Sequence, residues 1–126
     1  MIVGLGMDLV QRSRIEDAIR KHGERFKKRI FTESERAYCD PKPHAPLHYA
    51  GMWAVKESLV KALGTGFSGG IGWRDIQVGH DERGKPEVTL SGKAAERAQA
   101  IGVTRIHCTI THDTDLSAAQ VVLEGN

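Results

Sequence analysis

Apolar residues recur along the chain with two different periods, and the periods predict its elements. Residues 1–10, Met-Ile-Val-Gly-Leu-Gly-Met-Asp-Leu-Val, are an aliphatic run interrupted by two glycines, the pattern of a buried strand that another backbone approaches closely. From Arg14 onward Ile15, Ile19, Phe26 and Ile30 recur at steps of four, seven and four, a helical stripe that breaks near Gly23 into two short helices. Thr32-Glu-Ser-Glu35 has the spacing of a capping box, in which hydroxyl and carboxylate reciprocally satisfy free N–H groups at a helix start. The third short helix it opens ends before Pro41. Asp40 to Pro46 holds three of the four prolines and predicts a loop. Leu47 to Leu63 is the longest uninterrupted helical pattern, apolar at Leu47, Ala50, Ala54, Leu59 and Leu63, and Gly64-Thr-Gly66 stops it.

In the second half Ile76 and Val78 alternate with polar neighbours, and Glu87 to Leu90 follows the turn Glu82-Arg-Gly-Lys85, which predicts a hairpin. Lys93 to Ile101 reads as a helix with Gly102 as its stop. Arg105 to Thr111 and Ala118 to Leu123 read as strands around the polar turn His112 to Asp115. The order strand, helices, two strands, helix, two strands predicts an α+β fold, with helices on one face of a mostly antiparallel sheet around a long central helix. At 126 residues the chain predicts a single domain over 1–126, since division usually begins above roughly 150 to 200 residues.

Composition narrows the class. With 40% hydrophobic and 27% charged residues the balance is globular, which excludes a disordered tail, a collagen-like repeat and a small disulfide scaffold. Cys39 and Cys108 lie far apart without C-x-x-C spacing and read as two reduced thiols. No apolar run reaches the roughly 18 to 20 residues that span a bilayer, and there is no cleavable signal pattern, so the expectation is a cytoplasmic protein with no membrane contact. The net charge of +2 hides segregation. Between Gln11 and Ile30 eight basic residues face three acidic ones, a local +5, with Arg14, Lys21, Arg25 and Lys28 in a helical stripe. Such a surface meets an acidic partner, either nucleic acid or an acidic protein; the patch has little aromatic interleaving and no nucleic-acid recognition motif.

Candidate chemistry is sparse. Gly4-Leu-Gly6 fails the dinucleotide fingerprint, which needs glycine where Leu9 stands, and Gly64 to Gly70 follows its helix and lacks the lysine of a phosphate-binding Walker loop, though its backbone remains open to phosphate oxygens. Of the six histidines only His44 and His48 share a helical step, across a proline, so no zinc site is expected, and His112 alone reads as a surface residue. Glu57 and Lys61 stand at i and i+4. They read either as an ordinary helix pair or as part of a site in which Asp8 and Glu57 ligate a hard cation while Lys61 neutralises a phosphate. Two carboxylates suit Mg²⁺, which usually keeps substrate phosphates and waters as its other ligands.

Gly4-Leu-Gly-Met-Asp8, Phe31-Thr-Glu-Ser-Glu35, Trp53-Ala-Val-Lys-Glu-Ser-Leu-Val-Lys-Ala-Leu-Gly-Thr-Gly66, Trp73-Arg-Asp-Ile76, Gly84-Lys-Pro86 and Ile110-Thr-His112 together resemble the holo-[acyl-carrier-protein] synthases, the small trimeric class of 4'-phosphopantetheinyl transferases. The likeness covers essentially the whole chain. It implies that fold and a reaction in which the phosphopantetheine arm of coenzyme A passes to a serine of apo acyl carrier protein, in fatty-acid or polyketide biosynthesis, with release of adenosine 3',5'-bisphosphate. By motif position it implies Asp8 and Glu57 as Mg²⁺ ligands, Lys61 as the group that stabilises the transferred phosphoryl charge, and Gly64, Thr65 and Gly66 lining the coenzyme. Thr111 and His112 would reach the coenzyme from an adjacent subunit of a homotrimer. The serine's proton acceptor stays open among Asp8, Glu57 and a metal-bound water. The basic stripe acquires an acidic carrier protein as partner, docked through Arg14, Lys21, Arg25 and Arg29, with nucleic acid not expected. Met52 departs from the resemblance, which expects arginine there. The competing expectation is a non-catalytic basic module that binds an acidic carrier protein or nucleic acid.

Overall fold

The computed structural model describes all 126 residues. Its elements run β1 (Ile2–Gln11), α1 (Arg12–His22), α2 (Glu24–Ile30), α3 (Glu33–Cys39), α4 (Ala45–Leu63), β2 (Ile76–His80), β3 (Pro86–Leu90), α5 (Gly92–Ala100), β4 (Val103–His112) and β5 (Leu116–Gly125), with a single 3-10 turn at Trp73–Asp75. The strands form two antiparallel sheets rather than one: a three-stranded sheet in the order β1-β5-β4, and the separate hairpin β2-β3. The single sheet expected from the strand order is corrected in this respect, because β3 runs near β4 without forming ladder hydrogen bonds to it.

Helix α4 lies across one face of the larger sheet, and the two glycines of β1 are what let it. A Cβ on Gly6 would overlap the carbonyl oxygen of Ser58, and one on Gly4 that of Ala62. Both are α4 backbone atoms, so the helix sits directly on the strand as the glycine pattern predicts. Ser58 adds a hydrogen bond from Oγ to the Ala119 carbonyl at 3.1 Å. Packed between this sheet, the hairpin and α1–α3, α4 is buried almost all round: Tyr49, Ala50, Ala54, Val55, Leu59, Val60 and Leu63 are all within the core. Only Glu57 and Lys61 keep substantial access along its last two turns.

The helix starts earlier than its sequence suggests. Ala45 and Pro46, expected in the loop, form its first turn, where proline's missing N–H costs nothing and its fixed φ already suits a helix. Its stop is as expected, with Gly64 left-handed at φ 78°. Gly23 at φ 56° separates α1 from α2, and the capping box of α3 closes with the Glu35 N–H on Thr32 Oγ1 at 3.3 Å and the Thr32 N–H on Glu35 Oε1 at 2.7 Å.

Glu35 also does more than cap. It is completely buried with Lys56, whose ammonium lies 2.8 Å from Glu35 Oε1 and within 3.0 Å of the carbonyls of Ile30, Trp73 and Ile76. The second carboxylate oxygen accepts the Val78 N–H at 2.7 Å. One buried ion pair therefore ties the end of α2, the start of α3, α4 and β2 together, with every lone pair it needs satisfied.

The opposite face of the sheet is bare. Leu5, Met7 and Leu9 of β1 are each 60% exposed or more, and they stand in register with Val122, Gln120 and Ala118 of β5. No helix is long and apolar enough to cross a membrane.

Candidate active site

The site residues named from sequence fall into three groups. The first lies where β1 crosses the carboxyl-terminal half of α4. Asp8 points to the helix side, largely buried, and Lys61 reaches back over it with Nζ 3.1 Å from Asp8 Oδ1 and 3.0 Å from the Met7 carbonyl. The i, i+4 helix pair Glu57–Lys61 is therefore not formed: Lys61 pairs across to β1, and Glu57 has no ion pair within the chain. Burial and then the negative charge of Asp8 raise the pKa of Glu57, against the opposing pull of Lys61 and Arg14. Two carboxylates repelling one another at a half-buried crossing, with one lysine beside them, form a donor set short of one cation.

Beside this crossing runs an aromatic ladder that sequence reasoning missed as a unit. Trp53, one turn before Glu57, stacks on Trp73 at 4.3 Å, Trp73 on Phe67 at 3.9 Å, and Phe26 lies 6.2 Å from Trp53. Arg14 rests its guanidinium 5.4 Å from the Trp53 ring centre. Both tryptophans are in the motif segments, but nothing in their spacing reveals that α4 and the 3-10 turn bring them face to face.

The glycine turn follows directly. The amides of Thr65 and Gly66 both bond the Val60 carbonyl at 3.2 Å, and that of Gly64 bonds the Lys61 carbonyl at 3.0 Å. Their N–H groups thus complete the helix stop, and within Gly64 to Gly70 the amides without a backbone partner are those of Phe67 to Gly70. What Gly64 and Gly66 leave beside Lys61 is open surface without side chains.

Thr111 and His112 lie elsewhere. His112 packs on Gly51, where a Cβ would come within 2.8 Å of its ring, and Thr111 stands on the bare face of the sheet opposite Ala118. Gly51 and Gly64 are thirteen residues apart on one helix, about 20 Å, so a single chain does not bring the two groups together. The docking residues are all exposed, but they span two helices, Arg14 and Lys21 on α1 and Arg25 and Arg29 on α2; the last two flank a cleft of about 260 Å³ with His22 and Phe26. Met52 faces the core, 1% exposed, with the Cys39 thiol 3.7 Å from its sulfur. Burial pushes the Cys39 thiol up to about 12 and that of Cys108 to about 11, so neither is a ready nucleophile.

Residues 4–119 match the family model of the 4'-phosphopantetheinyl transferase superfamily. The chain belongs to that superfamily. Among relatives in this superfamily, the holo-[acyl-carrier-protein] synthase of Nitratidesulfovibrio vulgaris is 48% identical over 125 residues, 99% of this chain and 100% of its own, and that of Koribacter versatilis is 41% identical over 124 residues, 98% of this chain and 99% of its own. Solved structures agree in fold. The Helicobacter pylori holo-[acyl-carrier-protein] synthase in complex with coenzyme A superimposes with a TM-score of 0.84 at 28% identity, covering 95% of this chain and 99% of that one. The Bacillus anthracis enzyme, in complex with CoA (3',5'-ADP), gives 0.82 at 35% identity over 100% and 99%. The α+β fold of the phosphopantetheinyl transferases, expected from the resemblance, is thereby established for this member of the superfamily.

Proposed function

We propose that this chain transfers the 4'-phosphopantetheine arm of coenzyme A to a serine of apo acyl carrier protein, giving holo carrier protein and adenosine 3',5'-bisphosphate, in cytoplasmic fatty-acid or polyketide biosynthesis. The observation that carries the reading is the convergence of Asp8, Lys61 and Glu57 at the crossing of β1 and α4, inside a superfamily match that spans nearly the whole chain. Coenzyme A and an acyl carrier protein appear in the names of its relatives and structural neighbours.

In the reaction the serine Oγ attacks the phosphorus that carries the pantetheine arm. The bond from that phosphorus to the bridging oxygen breaks, and the bridging oxygen leaves with the bisphosphate. Asp8 and Glu57 suit Mg²⁺, a cation satisfied by one or two carboxylates plus substrate phosphates, and they are the residues that would hold it, where it would supply positive charge against the pyrophosphate. Lys61, tethered by the Met7 carbonyl and Asp8, sets its ammonium against the transferred phosphoryl group. Phosphoryl transfer depends mainly on such positioning and charge stabilisation. The serine proton passes to whichever of Asp8, Glu57 and a water beside them is not engaged as a ligand, since a carboxylate that holds a cation is a weakened base.

Gly64, Thr65 and Gly66 line the coenzyme through their bare surface, and Thr111 and His112 of a second copy complete its site. Three copies, joined through the exposed Leu5, Met7 and Leu9 face on whose far strand Thr111 stands, supply that second copy. The acidic carrier docks on Arg14, Lys21, Arg25 and Arg29. Purified protein with Mg²⁺ and coenzyme A is expected to add the mass of phosphopantetheine to an apo carrier, and Glu57→Gln, with an unchanged circular dichroism spectrum, to abolish the addition. Absence of any mass shift across a panel of apo carriers of fatty-acid and polyketide synthesis refutes the reading.

A further inference from the structure

Helix α5 meets the carboxyl-terminal end of α4 through one charged side chain. Its packing stripe is Ala94, Ala98 and Ile101, the alanines buried and the isoleucine packed against the core. Arg97 lies on the same stripe, three residues after Ala94 and four before Ile101, where helical spacing calls for an apolar residue. Its guanidinium enters no ion pair. Nε and Nη2 both donate to the Leu63 carbonyl, at 3.2 and 3.1 Å, and the adjacent Glu96 is taken by Lys93 at 3.3 Å. A cation on a packing face, held by one carbonyl 34 positions back in the chain, is out of place unless that carbonyl needs it.

Leu63 ends α4, and the carboxyl terminus of a helix gathers about half a negative charge on carbonyls that no later helical amide satisfies. In the last turn of α4 each carbonyl has its own neighbour. That of Val60 receives the amides of Thr65 and Gly66, that of Lys61 the amide of Gly64, and that of Ala62 lies against Gly4 of β1. The Leu63 carbonyl alone is met by a cation. Arg97 Nη2 also lies 3.8 Å from the point that a Cβ on Gly64 would occupy, so its charge stands beside the bare surface of the glycine turn. Coenzyme phosphates on that surface face the negative pole of a helix, and the amides of Gly64, Thr65 and Gly66 are already used. An anion there needs the pole offset.

We propose that Arg97 is a positioning residue of the transferase: by fixing a guanidinium on the Leu63 carbonyl it offsets the negative pole of α4 and opens the glycine turn to the coenzyme's phosphates. For its ligand the proposal rests on the transferase reading. Arg97 acts through the end of α4 and not on the reacting atoms, so it governs how tightly the coenzyme is held and leaves the chemical step alone. Lys61 keeps its place without Arg97, since its ammonium is tethered to β1 by Asp8 and the Met7 carbonyl. A charge that serves ground state and transition state alike changes KM and not kcat.

Arg97→Met, Arg97→Lys and, as a control on the same helix, Lys93→Met test this beside the wild type, each with an unchanged circular dichroism spectrum and at one temperature well below melting. Calorimetric titration with coenzyme A and Mg²⁺ reads the affinity, and transfer to apo carrier reads kcat and the KM of each substrate. Arg97→Met is expected to weaken coenzyme A about 10-fold in both Kd and KM, with kcat and the KM for the carrier within about 2-fold of wild type. Arg97→Lys keeps the charge and is expected to recover most of that loss. Lys93→Met removes a cation that pairs with Glu96 and touches no α4 carbonyl, and every value is expected to stay. Raising salt from about 50 mM to about 500 mM is expected to narrow the gap between Arg97→Met and wild type, since salt screens an exposed charge. A lower melting temperature with unchanged affinity and kinetics makes Arg97 merely structural and overturns the proposal. So does a fall in kcat at constant KM for coenzyme A, an Arg97→Lys as weak as Arg97→Met, or the same loss from Lys93→Met. The transferase reading fails separately: a wild type that binds coenzyme A but transfers nothing to any apo carrier refutes that reading, while the Arg97 affinities still decide this inference. A wild type that does not bind coenzyme A refutes both.

Discussion

Lys56→Met isolates the buried ion pair that holds the central helix α4 in place. Methionine matches the lysine stem in length, so packing is largely kept and the loss is electrostatic. Three carbonyls lose a donor, and Glu35, wholly buried, keeps only the N–H groups of Thr32 and Val78. Wholly buried and without its cation, the stranded carboxylate takes up a proton. Since a free glutamic acid ionises near pH 4.3, keeping that proton at pH 7 costs about 4 kcal/mol, the same size as the roughly 3 to 5 kcal/mol that breaking a buried pair from one side usually costs. Urea denaturation at pH 7 is therefore expected to show a loss of about 4 kcal/mol. The pH dependence is the sharper signature. In the folded variant the carboxylate binds a proton that the unfolded chain has already released, so acidification favours the folded form. The deficit relative to wild type then shrinks by about 1.4 kcal/mol per unit from pH 7 toward pH 5. A deficit below about 1 kcal/mol, or one of the same size at pH 5 and pH 7, refutes the assignment of this pair as the junction of α2, α3, α4 and β2.

Gly6→Ala pushes a Cβ into the Ser58 carbonyl and is expected to cost more than about 3 kcal/mol in urea denaturation, whereas Gly79→Ala, with open space at its Cβ, changes stability by less than about 1 kcal/mol; equal effects contradict the contact. Arg25→Glu is expected to raise KM for the apo carrier several-fold without changing KM for coenzyme A, and added salt to mimic it in the wild type; a matching rise for coenzyme A argues against docking. Leu5→Glu places a charge on the bare sheet face and is expected to shift sedimentation to a smaller species with loss of transfer, and an unchanged assembly rejects that face as the contact. Because His48, His80 and His112 are depressed in the folded protein, the unfolded chain binds protons first below pH 6.5 and ligand-free stability falls as pH drops through that region. Melting curves of His48→Gln/His80→Gln should fall less steeply there than wild type, and parallel curves rule the cluster out as the cause.

The legible features were those with a local cause. Gly4 and Gly6 announced a close backbone approach, Gly23 a break between helices, Thr32 and Glu35 a cap, and each has that role in the fold. The segments that resemble the family also marked Asp8, Glu57 and Lys61, which do meet. What periodicity missed depended on partners distant in sequence. Lys61 takes Asp8, 53 positions away, over the Glu57 that helix spacing offers, because β1 lies under that side of α4. Glu35 looked complete as a cap, and nothing near it disclosed a lysine 21 positions on. Pro46 misled in the opposite direction, since a helix-breaking residue is welcome in the first turn of a helix.

Helix α4 sets the distance between the two halves of the site. A rigid rod of 19 residues, about 28 Å long, carries Glu57 and Lys61 toward one end and His48 near the other. Within one chain these ends stay apart. On the proposed trimeric reading, one coenzyme meets the carboxylates of one copy and Thr111 and His112 of another. The net charge of +2 conceals the basic surface proposed for the carrier, a local +5 on α1 and α2. Arg14 joins the two functions, resting on Trp53 one turn before Glu57 at the edge of that basic surface. A carrier docked on α1, as proposed, meets Arg14 and so lies on the Asp8 and Glu57 side of the molecule.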